Sequence, residues 1–333
     1  MRIVIAGGSG QVGRILTRAF LAERHEIVVL SRTKDRAKSN SLTRVVAWDG
    51  KTLGDWSREI DQSDVVINLA GRSVDCRYND RNRSEIIDSR VDSTRAIGEA
   101  IANSSAPPRV WLQASTATIY SHRFDAPNEE LTGIIGGSEP NAPRTWRFSI
   151  DVAKAWESAA NEFDLPCTRK VLLRSAMTMS PGKGGIFDVL LGLVRKGLGG
   201  TCGNGRQYVS WIHKCDFIAA VHWLLDNEVT GPVNLAAPEP LPNADFMRAL
   251  REAWGMRLGL PATSWMLEVG ALLLRTETEL ILKSRRVIPA RLLNEGFQFR
   301  YSTWPQAAAE LCQSWRRLRK PGTITANGCF TQA

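Results

Sequence analysis

The stretch that decides the fold reads Ile3-Val4-Ile5-Ala6-Gly7-Gly8-Ser9-Gly10-Gln11-Val12-Gly13. An apolar run typical of a buried strand meets a glycine-rich turn, and a helical pattern begins directly after the turn. Apolar side chains in that pattern recur at the spacing of one buried helix face: Val12, Ile15, Leu16, Ala19 and Phe20. This order of elements predicts a phosphate site at the free N–H groups of the helix N-terminus.

Each glycine of the turn has its own expected role. Gly7 permits the tight turn, Gly10 lets the backbone approach a pyrophosphate, and Gly13 lets the helix lie close to the strand. The spacing Gly-x-x-Gly-x-x-Gly is one residue wider at its start than the dehydrogenase fingerprint Gly-x-Gly-x-x-Gly. A glycine-rich turn can also simply end a strand, but its place between strand and helix favours nucleotide binding.

The end of the second strand bears on the choice of nucleotide. A buried strand over residues 26–32 ends in Ser31 and Arg32, and Lys34 and Arg36 follow. An NAD-binding fold usually has Asp or Glu here to bind the ribose 2′-OH, whereas a guanidinium holds a 2′-phosphate with two bonds. We therefore predict NADP as the cofactor. The competing interpretation makes Arg32 an ordinary loop cation.

Strands and helices continue to alternate through the first two thirds of the chain. Further strands are predicted at 44–49, 64–71, 110–116, 169–174, 208–213 and 232–235. Helices are predicted at 82–103, 147–163, 186–196, 244–254, 265–282 and 307–318, and a long loop at 121–145. The pattern predicts an α/β fold: a doubly wound parallel Rossmann sheet with a smaller, mostly helical C-terminal region on the substrate side.

The predicted division has three parts. Residues 1–242 form the nucleotide-binding domain, including substrate-side segments at 175–215, residues 243–320 form a small helical domain, and residues 321–333 form a disordered tail. The formal charge of +9 is scattered along the chain, so we expect no nucleic-acid partner. No apolar stretch is long enough to predict a membrane span.

Cysteine usage favours a cytoplasmic protein. The six cysteines form no Cys-x-x-Cys pair and have no histidine at metal-ligand spacing. We therefore expect reduced thiols that serve mainly in packing, a cytoplasmic location and no metal site.

Several segments together resemble one branch of a known superfamily, the extended short-chain dehydrogenases/reductases. The segments are Asn68-Leu69-Ala70-Gly71, Asp88-Ser89-Arg90-Val91-Asp92-Ser93-Thr94, Ala114-Ser115-Thr116-Ala117-Thr118-Ile119-Tyr120, Trp156-Glu157, Ser210-Trp211-Ile212-His213 and a run from Val287 to Phe299. The branch is the atypical "epimerase family", whose members resemble nucleotide-sugar epimerases and carry a C-terminal domain of unknown function. The resemblance implies an NADP-binding protein, monomeric or homodimeric, with a small-molecule substrate.

The glycine turn and the resemblance together give a set of expected cofactor-binding residues. They are Gly7, Ser9, Gly10, Gln11, Val12, Gly13, Ser31, Arg32, Leu69, Ala70, Gly71 and Arg90. Arg90 stands where extended members often carry Asn. Instead of binding the cofactor, Arg90 could order a water, bind substrate or form a structural ion pair.

The catalytic pair of most short-chain reductases is missing from this sequence. In Tyr-x-x-x-Lys the two side chains lie one helical turn apart, and the ammonium lowers the pKa of the phenol that exchanges a proton as hydride moves. None of the four tyrosines is followed by a lysine four residues later. Aligning Glu157 with the family's acidic residue puts Ser149 at the Tyr position and Ala153 at the Lys position.

The remaining candidates for chemistry lie near strand ends. Thr116 matches the hydroxyl that hydrogen-bonds substrate in extended members, and Ser115 precedes it, although either can simply satisfy the backbone at a strand end. Tyr120 is the candidate substitute acid, or it packs beside the nicotinamide. The expected substrate-binding residues are Arg174, Arg206 and Trp211. These features predict an oxidoreductase or epimerase-like enzyme, with a catalytically silent NADP-binding sensor or scaffold as the alternative.

Overall fold

The computed structural model describes residues 1–33, 41–139, 143–262 and 279–319. Three sequence predictions therefore lie outside the described residues: the cations Lys34 and Arg36, most of the amphipathic helix at 265–282, and the tail at 321–333. The chain forms two compact units. The first unit comprises Met1–Ile119, Phe148–Arg174 and Val221–Val233, and the second comprises Tyr120–Arg147, Ser175–Ala220 and Asn234–Ala333. Segments of the two units alternate along the sequence.

The strands and helices alternate as the sequence pattern predicts. The strands are β1 Arg2–Ala6, β2 Glu26–Ser31, β3 Thr43–Ala47, β4 Val65–Asn68, β5 Val110–Thr116, β6 Arg169–Ser175, β7 Met177–Met179, β8 Tyr208–Val209, β9 Trp211–His213, β10 Gly231–Leu235 and β11 Leu241–Pro242. The helices are α1 Gln11–Ala22, α2 Asp80–Ala102, α3 Arg144–Asn161, α4 Ile186–Arg195, α5 Lys214–Asp226, α6 Asn243–Trp254, α7 Glu279–Leu282, α8 Ala290–Asn294 and α9 Trp304–Leu318.

Seven strands form one central sheet in the order β10-β6-β5-β4-β1-β2-β3. Strand β1 pairs in parallel with β2 on one side and β4 on the other, so Ala6 lies opposite both Leu30 and Asn68. The carboxyl ends of these three strands are therefore level. Strand order reverses between β1 and β4, and ligands of doubly wound folds bind at such a switch point. The predicted fold class is confirmed.

Strand β1 buries the side chains that the sequence pattern selects, and helix α1 buries three of its five predicted ones, while Val12 and Ile15 are half-buried. Residues Ile3, Val4, Ile5 and Ala6 of β1 have no exposed surface, as expected for a parallel strand covered on both faces. Helix α1 buries Gly13, Leu16, Ala19 and Phe20, which lie on one face. Burial of this face fixes α1 against the sheet, so the glycine turn is held at both of its ends.

The predicted strand over 208–213 is two short strands in the second unit. Strand β8 pairs with β11 in an antiparallel ladder, and β9 pairs in parallel with β7. Ser210 separates them, and its hydroxyl donates to the carbonyl of Arg285 at 2.6 Å and accepts from the N–H of Val287. The partners of the Ser210 hydroxyl are distant in sequence, so local periodicity does not reveal the break between the two strands.

The state of the described cysteines differs from the sequence prediction. Among the described cysteines, Cys76, Cys167, Cys202 and Cys312 are free thiols, but Cys215 is disulfide-bonded. The prediction of six reduced thiols is therefore wrong, and cysteine usage no longer supports a cytoplasmic location. Within the described part of the chain, no helix has the length and apolar character needed to cross a membrane.

A buried histidine joins strand β9 to helix α9 within the second unit. His213 is completely buried, and its Nε2 lies 2.9 Å from a carboxylate oxygen of Glu310. Its Nδ1 accepts a hydrogen bond from the N–H of Cys215 at 3.2 Å. Burial raises the pKa of Glu310, but the bonds from His213 and Ser314 outweigh burial and hold this pKa at about 2.

We expect the Glu310→Gln variant to lose stability in a pH-dependent way. The pKa of Glu310 falls from 4.5 to about 2 on folding, so its contribution is complete above pH 4.5 and is lost as pH falls through 2. Solvent screening at the partly exposed carboxylate limits this contribution to about 1–2 kcal/mol. Urea unfolding across this pH range checks the difference between wild type and variant. The exposed Glu252→Gln is the control, and a Glu310→Gln difference that does not shrink below pH 4.5 contradicts the assignment.

Candidate nucleotide-binding site

The glycine turn is closed by its own backbone. The N–H of Gly7 donates to the carbonyl of Leu30 at 3.3 Å, and the N–H of Gly10 donates to the carbonyl of Gly7 at 3.0 Å. The N–H of Arg14 then donates to the carbonyl of Gly10 at 2.9 Å as α1 begins. Gly7 has a φ of +77°, in the left-handed region that favours glycine. These bonds place the start of α1 at the carboxyl edge of the sheet.

Two positions in the turn have no room for a side chain. A Cβ added at Gly7 would lie 2.7 Å from the carbonyl carbon and oxygen of Leu69. A Cβ added at Gly13 would lie 2.5 Å from the Cα of Gly8 and 2.6 Å from the carbonyl oxygen of Gly7. The obstructing atoms are backbone, which cannot move aside as a flexible side chain can. The turn therefore requires glycine at both positions.

The N-terminus of α1 is open to an anion. Gly10 is the N-cap residue and supplies no side-chain cap, and the first turn of the helix contains no acidic residue. The first N–H groups of the helix and its positive dipole end are therefore available to a ligand. The side-chain amide nitrogen of Gln11 is also buried and has no hydrogen-bond partner among the described residues. Both features fit a phosphate-bearing nucleotide.

An exposed arginine, Arg32, directly follows β2. The Ser31 hydroxyl donates to the carbonyl of Thr33 at 2.9 Å, which turns the chain at the strand end. Arg32 is exposed, and within the described residues no carboxylate forms an ion pair with it. A guanidinium in this state can take a phosphate with two hydrogen bonds.

A buried amide network positions the end of β4. Asn68 is completely buried, and its side-chain nitrogen donates to Gln113 at 3.0 Å. Its side-chain oxygen accepts from the N–H of Ala70 at 3.0 Å, while the N–H of Leu69 donates to Ala6 at 2.9 Å. The network fixes the path of residues 69–71 beside the glycine turn.

Arg90 lies beside that segment. A Cβ added at Gly71 would lie 3.1 Å from the Arg90 Cζ, so Gly71 makes room for the guanidinium. The guanidinium stands over the ring of Trp156 at 4.9 Å and donates to the carbonyl of Ile86 at 2.9 Å. Burial lowers the pKa of Arg90 to about 10. In the described ranges no carboxylate is within ion-pair distance of it, so the structural ion pair considered from sequence does not form.

Ser115 and Arg174 meet at a carboxylate that sequence reasoning did not connect to them. Two guanidinium nitrogens of Arg174 donate to the two carboxylate oxygens of Glu157, each at 2.8 Å. The Ser115 hydroxyl donates to the same carboxylate at 2.6 Å. All three residues are buried. This geometry gives Ser115 and Arg174 structural roles, because breaking a buried bidentate pair leaves an uncompensated charge.

The Thr116 hydroxyl can donate a hydrogen bond to a ligand. Its oxygen accepts from the N–H of Thr118 at 3.2 Å. Within the described residues no acceptor takes its hydroxyl proton, and the residue is half-buried at the carboxyl end of β5. Of the two hydroxyls predicted at this strand end, Thr116 is thus the one that remains available.

The second unit holds the other predicted residues. The Tyr120 hydroxyl donates to the side chain of Asn234 at 2.9 Å, and only 2% of the residue is exposed. Trp211 is completely buried and packs edge-on against Trp304 with ring centres 5.1 Å apart. Trp211 is therefore a core residue, and its predicted role as a substrate contact is wrong. Its position after a glycine-rich loop gives no sign of this burial. Arg206 is exposed.

The fold and the glycine turn define a dinucleotide-binding α/β protein of the Rossmann type. A sequence model described as the NAD dependent epimerase/dehydratase family matches residues 3–236, and a domain of unknown function matches residues 262–311. The chain belongs to the NAD dependent epimerase/dehydratase family. The predicted resemblance is thereby confirmed, including its C-terminal domain.

Relatives extend along nearly the whole chain. The human epimerase family protein SDR39U1 is 30% identical over 317 residues, covering 93% of this chain and 98% of the relative. The protein YfhF of Bacillus subtilis is 27% identical over 312 residues, with coverage of 93% and 98%. Both are named as epimerase family proteins.

Solved structures agree with the fold. The crystal structure of human SDR39U1 with NADPH has a TM-score of 0.80 and 28% identity, covering 94% of this chain and 99% of the human chain. A UDP-N-acetylglucosamine 4-epimerase from Bacillus cereus has a TM-score of 0.69 at 18% identity, covering 95% and 99%. The second likeness concerns the fold alone.

We expect Gly13→Ala to destabilise the protein by about 1–3 kcal/mol, because its Cβ would meet the backbone of Gly7 and Gly8. Gly192→Ala is the matched control, since Gly192 lies in α4 and a Cβ there meets no atom within 4 Å. Alanine raises helix propensity, so this control should be neutral or more stable by up to about 1 kcal/mol. Urea unfolding measures both. Equal effects of the two substitutions would contradict the packing described for the turn.

Proposed function

We propose that the chain binds NADP(H) at the glycine turn of its first unit. The observation that carries the proposal is the backbone cradle at Gly7 and Gly13, where no Cβ fits, joined to a helix N-terminus without a side-chain cap. The pyrophosphate would accept hydrogen bonds from the N–H groups of Gln11, Val12 and neighbouring turn residues. The NADPH in the human relative's crystal structure supports the same nucleotide class.

Arg32 would select NADP(H) over NAD(H). It directly follows β2, the strand next to β1, at the position where ribose-reading residues of such folds stand. It is exposed and, within the described residues, has no carboxylate partner that would compete with a 2′-phosphate. An acidic residue at this place would repel that phosphate, and the guanidinium instead neutralises it.

The chemistry that we propose is oxidation or reduction of a small molecule, as in an oxidoreductase or an epimerase-like enzyme. The nicotinamide ring of the bound nucleotide supplies or accepts the hydride. Among this chain's residues, Thr116 would hold the substrate oxygen through its available hydroxyl, and Arg90 would provide positive charge near residues 69–71. Ser115 and Arg174 would instead hold β5 and β6 to α3 through Glu157.

A catalytically silent NADP-binding sensor or scaffold is the second candidate. It is favoured by the missing Tyr-x-x-x-Lys pair, because the two positions on α3 hold Ser149 and a completely buried Ala153. It is also favoured by the hydrogen bond from Tyr120 to Asn234, which engages the predicted substitute acid.

A substrate panel separates these two candidates. We expect wild-type protein with NADPH to oxidise the nucleotide in the presence of at least one sugar nucleotide, quinone or aldehyde, followed as loss of nicotinamide absorbance. NADPH binding without turnover across the panel would favour the silent protein. Absence of NADPH binding would contradict both.

We expect Arg32→Ala to weaken NADPH binding about 10- to 100-fold and to leave NADH binding unchanged, because only NADPH carries the 2′-phosphate. This range corresponds to losing one or two charge-assisted hydrogen bonds. Titration calorimetry with both nucleotides measures the ratio. Arg58→Ala is the matched control, since Arg58 is an exposed arginine whose side chain is 82% accessible. An unchanged NADPH-to-NADH ratio would exclude the proposed role of Arg32.

A further inference from the structure

Arg90 is a cation whose counter-charge the described part of the chain does not supply. It lies on α2 with its Cζ 4.9 Å from the ring centre of Trp156 on α3, and it donates one hydrogen bond to the carbonyl of Ile86. No carboxylate in the described ranges reaches it. A half-buried charge costs free energy unless an opposite charge compensates it. The ring face of Trp156 offsets only part of that cost.

The ring that Arg90 faces is itself fixed by hydrogen bonds. The indole N–H of Trp156 donates to the Thr94 hydroxyl at 3.1 Å. Thr94 lies one helical turn after Arg90 on α2, and its hydroxyl oxygen also accepts from the Asn68 amide at 3.4 Å. The guanidinium therefore has a preorganised position, so a ligand loses little free energy in ordering it.

The remaining N–H groups of Arg90 open towards solvent. Among the described residues, the buried polar atoms without a hydrogen-bond partner include no nitrogen of Arg90. Because one nitrogen bonds to Ile86 and the group stands over Trp156, a ligand reaches the guanidinium along its unused edge. Paired N–H groups along such an edge match two oxygens of a carboxylate or a phosphate.

This edge lies beside the candidate nucleotide site. A Cβ added at Gly71 would lie 3.1 Å from the Arg90 Cζ, so the guanidinium borders the segment that follows β4. In the same segment, the carbonyl of Leu69 lies 2.7 Å from where a Cβ at Gly7 would stand. Arg90 therefore belongs to the carboxyl edge of the sheet, where ligands of doubly wound folds bind.

Helix α3 connects Arg90 with the available hydroxyl of Thr116. Trp156, which Arg90 faces, is followed by Glu157, and the Glu157 carboxylate accepts from the Ser115 hydroxyl at 2.6 Å. Ser115 directly precedes Thr116 at the end of β5. All five residues belong to the first unit. The cation and the hydroxyl are therefore anchored by adjacent residues of one helix.

We propose that Arg90 binds an anionic group of the substrate, and that the substrate is a small carbonyl compound, or its alcohol, that also carries a carboxylate or a phosphate. The proposal rests on the proposed function, in which Thr116 holds the substrate oxygen. The substrate is then held at two points, with its reacting oxygen at Thr116 and its anionic group at Arg90. A neutral aldehyde or quinone lacks the second contact.

Binding to the NADP⁺ complex tests the proposal without turnover. The probes are pyruvate, its neutral amide pyruvamide and inorganic phosphate, each titrated by calorimetry into protein saturated with NADP⁺, which occupies the anion site at the start of α1. If the anionic group is a carboxylate, we expect pyruvate to bind at least about 10-fold more tightly than pyruvamide, because only pyruvate is charged. If it is a phosphate, we expect inorganic phosphate to bind most tightly of the three.

Variants assign the anion to Arg90. We expect Arg90→Gln to weaken binding of the preferred anion about 10- to 100-fold, the loss of one or two charge-assisted hydrogen bonds. Arg90→Lys keeps the charge but not the paired N–H edge, and should restore binding in part. Arg81→Gln removes an exposed cation from the same helix and should leave anion binding unchanged. NADPH affinity should stay the same in all three variants.

Three results would overturn the proposal while leaving the proposed function in place. The first is a wild-type complex that binds pyruvate no better than pyruvamide and does not bind phosphate, which no variant's folding can affect. The second is unchanged anion affinity in folded Arg90→Gln. The third is a loss of NADPH affinity alone in that variant, which assigns Arg90 to the nucleotide. Failure of wild type to bind NADP⁺ and NADPH would instead contradict the proposed function, and this proposal with it.

Discussion

The close approach of two backbones is the constraint on which the candidate site depends. The glycine turn after β1 lies directly against the segment after β4, with no space for a Cβ between Gly7 and Leu69. Parallel pairing of β1 with β4 makes this approach possible, because Ala6 and Asn68 are level in the sheet. Helix α1 can then begin at the switch point with its N–H groups open. Backbone packing alone therefore shapes the candidate nucleotide site at this turn.

Buried polar groups fix what surrounds this turn. Asn68 uses both ends of its amide, one on Gln113 and one on the backbone of Ala70, so residues 69–71 follow one path. Trp156 donates to Thr94 at 3.1 Å, which holds the ring that Arg90 faces. Because unsatisfied polar groups in a low-dielectric interior are costly, these networks favour a single arrangement. The charge of Arg90 is therefore held where the first unit has no carboxylate to neutralise it among its described residues.

The sequence predicts those features that local patterns encode. The apolar run, the glycine spacing and the buried face of α1 are local, and the sheet and the family follow from them. The end of β2 at Ser31 is likewise found within one residue of its predicted place. Helix α2 begins at Asp80, whereas the sequence pattern predicts a start at residue 82. The side chain of Asn79 caps the helix by accepting a hydrogen bond from the N–H of Asn82. Boundaries of this kind depend on single capping bonds.

Roles that depend on distant partners are not encoded locally. Arg174 looks like a free cation at a strand end, but Glu157 lies 17 residues earlier on α3 and meets it in space. Trp211 follows a loop, yet it is buried against Trp304, the first residue of helix α9. Long-range pairing decides which polar residues are structural and which remain free.

The most direct test of the central claim is a crystal structure of this protein grown with NADPH. The account predicts the pyrophosphate within hydrogen-bond distance of the N–H groups at the start of α1, with no shift of the Gly7–Gly13 backbone. It also predicts the 2′-phosphate beside the Arg32 guanidinium. Nucleotide bound at any other place, or a glycine turn that must unfold to admit it, would contradict the account.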